Sequence, residues 1–411
     1  MTQKRKDSKG IVLRTGEVQE KNGRYVYRWT LPNGVRKAIY ARSLKELRAK
    51  EAKLQVDTHC GIKVGNENLT INQMYERWYE IKRFHIRDNT ICNYNYMYVT
   101  YVRPGFGRKR LKQVVKTDIK KFYNTLIDER CLSISAVETI QNVLRQVFQT
   151  AVEDNIISKN PCENLFREYK ASRNFDTEKR KALTKAEQEL FINFLKNNEN
   201  YRHWYPVFAV MLGTGMRVGE VTGLRWCDVD FNKNIINVNH TLVNYSKGKG
   251  LGNVFVVNPP KTKSGIRTIP MFPEVKEALL EEKQYQEDFG IKCKASVNGY
   301  TDFIFVNRFG ENQHQGTLNK AIKRIIRDCN DEVLAKNELD ENTVLLPDFS
   351  CHILRHSFTT RLCEADVNVK SIQVVLGHSD IRTTLQIYAD VTERHKQETF
   401  RGIEGFFKGI L

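Results

Sequence analysis

No run of about 18 apolar residues occurs in the 411-residue chain, so no segment has the length of a membrane-crossing helix. The nine cysteines, at 60, 92, 131, 162, 227, 293, 329, 351 and 363, contain no C-x-x-C pair, and their number is odd. That scatter fits neither a thiolate metal site nor a disulfide framework, and free thiols in a reducing cytoplasm are expected. No apolar stretch follows the opening Met-Thr-Gln-Lys-Arg-Lys-Asp, so no signal peptide is read there. His352 and His356 stand at i, i+4, but no Glu follows the first and no third ligand is evident. Neither a metal nor a cofactor is therefore expected. Internal repeats and low-complexity tracts are also missing.

What the chain does have is positive charge. Its 66 Lys and Arg against 48 Asp and Glu give a formal charge of +18. Such a surplus suits a phosphate-rich partner, because each neutralised phosphate releases condensed counterions. A basic ribosome-associated protein would show the same balance, but the distribution is uneven. Residues 1–60 hold 15 Lys and Arg against 6 Asp and Glu, half of the whole excess.

Three pieces are legible, at 1–60, 66–170 and 175–411. The first reads as strands and a helix. Hairpin signals at Asn22-Gly23 and Pro32-Asn33-Gly34 separate aromatic and β-branched runs, and Ser43-Leu44-Lys45-Glu46 is a capping box that opens a helix to about Val56. A three-stranded sheet carrying Arg24, Arg28, Arg36 and Lys37 could lie in a DNA groove, as β-ribbon readers do; a merely solvated face is the plainer alternative. After a linker near 58–68, Thr70 caps a helix with apolar residues at Ile71, Met74, Tyr75, Trp78 and Ile81. Further helices are predicted near 89–101, 117–128, 135–154 and 162–169, and the tyrosines at 94, 96, 98 and 101 read as packing aromatics. The charged stretch 170–181 reads as a hinge. In the third piece, helices at 185–196, 203–212 and 217–224 precede strands near 234–245, 253–258 and 266–271. The rest is mainly helical apart from Phe303-Ile304-Phe305-Val306. The fold class is mixed α/β, mainly helical, with small antiparallel sheets.

The chemistry concentrates late in the chain. On a helix His352, Arg355 and His356 lie within one turn of each other. His378 follows Gly377 at a helix end, Tyr388 comes ten residues later, and Arg217 stands far upstream after Thr214-Gly215-Met216. Attack on a phosphodiester builds negative charge on its non-bridging oxygens, which preorganised arginines stabilise through two-pronged hydrogen bonds. A tyrosine nucleophile would conserve the bond energy as a phosphotyrosyl diester, so that rejoining needs no ATP. A leaving 5′ oxygen needs a proton, and a lysine in a cationic pocket can give it. The hairpin Pro260-Lys261-Thr262-Lys263-Ser264-Gly265-Ile266-Arg267 offers two such lysines.

Thr-Gly-Met-Arg217-Val-Gly-Glu220, Pro-Lys261-Thr, His352-x-x-Arg355-His356, Leu-Gly-His378 and Tyr388 together resemble the ordered motifs of the tyrosine recombinase (phage integrase) family. The three-piece layout with a basic, β-rich start resembles integrases of conjugative transposons and temperate phages. The resemblance implies that Arg217 and Arg355 clamp the scissile phosphate and that Lys261, with Lys263 as its alternative, protonates the leaving oxygen. His352 would manage the tyrosine's proton, His378 would bond the phosphate, and Tyr388 would attack. Glu220 and His356 would support from behind. It further implies a homotetramer on paired double-stranded DNA sites, with core and arm sites, a Holliday junction, an excisionase or DNA-bending partner, and a bacterial cytoplasmic, nucleoid-associated setting. The apolar residues of the tail (Phe400, Ile403, Phe406, Phe407, Ile410, Leu411) would pack on their own domain or on a neighbouring protomer. A type IB topoisomerase and a non-catalytic DNA-binding regulator with the same fold are the rival readings.

Overall fold

A computed structural model describes residues 5–30, 34–59, 68–172, 182–248, 250–260, 262–336 and 343–389. Lys261, most of the linker and hinge segments, and the tail with its Phe400 to Leu411 apolar residues lie outside the described residues. The chain divides into two compact units, residues 1–176 and 177–411. No helix among the described residues is long and apolar enough to cross a membrane.

The first unit begins with an antiparallel sheet in the order β1 (Glu17–Gln19), β2 (Tyr25–Thr30), β3 (Arg36–Ala41), followed by α1 (Leu44–His59). Asn22-Gly23 makes the first turn, with Gly23 at φ +82°, a backbone conformation that costs a glycine nothing. Tyr25, Ala41, Leu44 and Leu47 form a small core, with Tyr27 and Ile39 against it. Strand alternation then divides the four basic residues Arg24, Arg28, Arg36 and Lys37. Trp29 pairs with Lys37 and Tyr27 with Ile39, so Lys37 points to the core side and is half-buried. Arg28, opposite Ala38, and Arg36, opposite Thr30, share the open face, and Arg24 sits exposed in the turn.

The helical part comprises α2 (Ile71–Lys82), α3 (Asp88–Met97), α4 (Lys116–Asn124), α5 (Ile134–Glu153) and α6 (Leu165–Ser172). Thr70 and Gln73 close a reciprocal capping box at the start of α2. Ile71, Met74, Tyr75 and Trp78 are buried as their spacing predicts. Ile81, in the last turn of the helix, is instead 60% exposed. In α5, Val137, Ile140, Val143, Leu144, Val147, Phe148 and Ala151 fill the core of this part. Truncating one of them to alanine costs on the order of 2–5 kcal/mol. The predicted helices at 89–101 and 117–128 each finish in a π-turn, at Tyr98–Val102 and Thr125–Glu129. Tyr98 is buried, stacked on Tyr75, and donates its hydroxyl to Asn72 at 2.8 Å.

The second unit runs α7 (Lys185–Asn197), α8 (Tyr205–Thr214), α9 (Val218–Val221), β4 (Val229–Asp230), β5 (Ile235–Val238), β6 (Thr241–Ser246), β7 (Asn253–Asn258), β8 (Arg267–Pro270), α10 (Pro273–Asp288), α11 (Gln315–Lys336), α12 (Cys351–Glu364) and α13 (Val369–Leu376). Residues 382–389 are also helical. Apolar almost all round, α8 is central and packs against α10 and α12. Three expectations change here. The strand expected at 234–245 is two strands in two sheets, β4-β5-β8 and β6-β7. The chain breaks at Asn239-His240, where His240 turns inward to the Gly223 carbonyl at 2.6 Å. The helix expected at 217–224 is a single turn, held against β6 so closely that a Cβ on Gly219 would stand 2.6 Å from the Leu242 carbonyl. Phe303-Ile304-Phe305 is buried core, but it pairs only through isolated bridges, Arg225 with Phe303 and Val306 with Asn312.

Candidate active site

The site is organised by the last turn of α13. Gly377 takes φ +64° at its end. Its N–H bonds the Val374 carbonyl and that of His378 bonds Gln373, both at 3.1 Å, the paired closure that lets a glycine end a helix. Three orphan carbonyls remain, and each receives a different arginine. Arg267 Nε donates to Val375 O at 2.5 Å, Arg355 Nη2 to Leu376 O at 2.8 Å, and Arg217 Nη2 to Gly377 O at 3.2 Å. The partial negative charge of a helix C-terminus favours cations there.

Each arginine comes from a distinct element. Arg355 lies on α12, a helix buried on nearly every side, and is 5% exposed. Its other arm donates to Gly215 O at 2.6 Å, at the left-handed residue that ends α8. Burial, with the Arg217 charge next in weight, lowers its pKa to about 9, so it stays cationic at neutral pH. Arg217 precedes α9 and keeps 44% of its side chain exposed. It donates from Nη1 to Glu220 Oε1 at 2.9 Å, and its backbone N–H bonds Glu220 Oε2 at the same distance. Arg267 opens β8 with a side chain 3% exposed, and grips both Glu220 oxygens at 3.2 and 2.8 Å. Burial pushes the Glu220 carboxyl up, but the Arg267 fork and charge, with Arg217 behind them, hold it below its ordinary value. Removing one partner of such a buried pair typically costs about 3–5 kcal/mol.

His378 follows this turn and shares a 2.9 Å hydrogen bond between Nδ1 and the Thr384 hydroxyl. Burial first, then the charges of Arg355, Arg217, Arg267 and His352, press its pKa down to about 4. The imidazole is therefore neutral at pH 7. If the Thr384 hydroxyl donates to Nδ1, the ring proton is on Nε2, ready to donate to an oxyanion. His352 is exposed one turn before Arg355, and His356 is half-buried beside it. Lys263 is exposed in a short turn, Lys263–Gly265. That turn passes against Gly377, since a Cβ there would lie 2.8 Å from Ser264 O. A groove of about 580 Å³ opens beside Arg217, lined also by Thr241, Asn244, His314, Gln315 and Asn319.

Tyr388 does not join the cluster. Its hydroxyl donates to Asp366 Oδ1 at 3.1 Å, and that carboxylate raises the phenol's pKa. Asp366 lies beyond the C-terminal end of α12, and the stretch from Arg355 to Glu364 measures roughly 14 Å at 1.5 Å per residue. The structure thus brings Arg217, Glu220, Arg355 and His378 together and leaves Tyr388 at the far end of the helix. Arg267 is the member the motifs miss. Its signal was an arginine in phase with the inward Ile269 of its strand and with Met271 just after it, a position where a buried charge needs a partner.

Guanidiniums clustered on a helix end with a neutral histidine, on a mainly helical unit with small antiparallel sheets, fit a DNA strand-transfer enzyme of the tyrosine recombinase type. The chain belongs to the phage integrase family, which matches residues 181–395. Two further families match upstream, the DNA binding domain of tn916 integrase at residues 1–58 and the phage integrase N-terminal SAM-like domain at 70–127. It is a site-specific recombinase, an integrase. It is 29% identical to the transposase from transposon Tn916 of Enterococcus faecalis over 95% of each chain. The Tn1545 transposase of Streptococcus pneumoniae matches to the same extent. Among solved structures, the Tn1549 transposon integrase in complex with a circular intermediate DNA superposes with a TM-score of 0.68 at 27% identity, covering 80% of this chain and 99% of that one. A lambda integrase tetramer bound to a Holliday junction shares the fold, with a TM-score of 0.50 at 20% identity over 92% of this chain and 95% of that one.

Proposed function

We propose that this integrase inserts and excises a mobile element, cutting and rejoining double-stranded DNA through a 3′-phosphotyrosyl intermediate. Arg217 and Arg355 hold the non-bridging oxygens of the scissile phosphate, and neutral His378 donates a further hydrogen bond. Tyr388 Oη attacks phosphorus as its proton passes toward His352. The P–O5′ bond breaks, and Lys261 supplies the proton to the departing 5′ oxygen, Lys263 being the alternative donor. Glu220 orients Arg217, and His356 supports the helix face behind His352. Before attack Tyr388 leaves Asp366, a movement expected on assembly at DNA.

The observation that carries this reading is the set of three guanidiniums against one carboxylate on the end of α13. It leaves two positive charges for a phosphate. The same reading gives residues 1–60 to arm sites, 66–170 to core sites and 175–411 to catalysis. It has four copies acting on paired sites through a Holliday junction, assisted by an excisionase or DNA-bending protein, in a bacterial cytoplasm. The DNA-bound transposon integrase with the same fold supports it. The test is a nicked suicide duplex carrying the element's core site. Wild-type protein is expected to stay on the DNA through a denaturing gel and Tyr388→Phe to run free; an undiminished adduct with Tyr388→Phe refutes the assignment of the nucleophile.

A further inference from the structure

We infer that Arg267 is a positioning residue that absorbs the charge of Glu220, so that Glu220 can aim Arg217 without neutralising it. This rests on the proposed phosphate chemistry of the same site. Glu220 makes the closest polar contacts of Arg217, at its backbone N–H and at its guanidinium. A lone carboxylate there would cancel the charge that the phosphate needs. Arg267 grips both oxygens of that carboxylate in a two-pronged, desolvated pair, the geometry in which a guanidinium binds most strongly. Arg267 is spent on this pairing: its side chain is 3% exposed, and Nε, Nη1 and Nη2 all donate within the protein. Those arms reach Glu220, Gly265 O at 3.3 Å and Val375 O. The same group therefore fixes the turn at 263–265 and the turn of His378 against the Arg217 segment, and Gly377 lies so close that a Cβ there would stand 3.1 Å from its Nη1. Lysine has a point charge and no planar fork, so it would keep the balance but lose most of these contacts.

Charge compensation separates this role from simple scaffolding. With the nicked core-site duplex, Arg267→Gln is expected to slow adduct formation by up to about 100- to 1000-fold, the range seen when a preorganised donor is removed outright. Arg267→Lys should fall between the two. The double variant Arg267→Gln with Glu220→Gln removes both charges and restores the two-charge surplus, and should regain at least about tenfold over Arg267→Gln. Circular dichroism and core-site gel shifts confirm that each variant is folded. Should Arg267→Gln fail to fold, the double variant, which buries no unpaired charge, is compared with Glu220→Gln alone. Equal adduct rates support the charge role, and a rate at least tenfold lower for the double variant overturns it. Wild-type rates in Arg267→Gln, or a double variant no faster than Arg267→Gln, also overturn it. If wild-type protein forms no adduct at all, the reading of the site itself fails and takes this inference with it.

Discussion

Replacing Gly377 by alanine perturbs two things that the structure separates. The residue sits at φ +64°, where an L side chain costs roughly 1–2 kcal/mol. Its new Cβ would also stand 2.8 Å from Ser264 O and 3.1 Å from the Arg267 side chain. The first is a backbone atom that cannot swing aside, and overpacking of that kind costs about 1–3 kcal/mol more. The sum is roughly 2–5 kcal/mol, felt where three arginines converge. Gly290 supplies the control: it has φ +62° and nothing within 4 Å of an added Cβ, so Gly290→Ala should show only the conformational part. Urea unfolding read by hydrogen exchange of peptides from 351–389 measures the stability loss, and adduct formation on the nicked duplex measures the site. Gly377→Ala is expected to exceed Gly290→Ala by about 1–3 kcal/mol and to lose adduct formation at least about tenfold, while Gly290→Ala cleaves normally. Equal losses in the two variants would refute the close approach of the 263–265 turn to the end of α13.

Asp366→Asn removes the charged partner of the Tyr388 hydroxyl and should raise the rate of adduct formation; a rate at or below wild type counts against Asp366 as a restraint. The depressed pKa of His378 sets a sign for acid stability. The unfolded chain takes up this proton near pH 6.5 and the folded one only near pH 4, so stability falls as pH drops through that window. Urea midpoints in DNA-free protein should show this loss in the wild type and a shallower one in His378→Gln; parallel curves would contradict it. In the N-terminal sheet, Arg28→Ala and Arg36→Ala should each lower the salt slope of arm-site binding by about 1, whereas Lys37→Ala, on the core-side face, should leave it unchanged, and fluorescence anisotropy across a salt series reads the difference.

The parts of the molecule that carry their own signal were legible in sequence. Ile71 to Trp78 declare their helix by spacing, with Thr70 as its cap. The motifs that carry the family resemblance name Arg217, Arg355 and His378, and the fold brings the three to one helix end. Features set by distant partners were not legible. The break at Asn239-His240 depends on a carbonyl 17 positions upstream, and α9 stops after one turn because β6 lies against its glycines. Lys37 falls on the core side because strand parity, which Arg36 and Lys37 cannot both satisfy on one face, outranks composition. Arg267 reads from sequence as another basic residue in a basic hairpin. Only the fold shows Glu220, 47 positions away, waiting for it. The resting place of Tyr388 has no local signature either, because Asp366 is an ordinary turn residue until the helix of 382–389 comes to rest beside it.

Segments of chain up to 160 positions apart are registered on one short ruler, the consecutive carbonyls of Val375, Leu376 and Gly377. Neighbouring marks on it are separated by one residue, so the three guanidiniums are set against one another by single steps of the chain. An insertion or deletion between Val375 and His378 shifts every mark at once, and no second-site change on a single arginine can restore the scale.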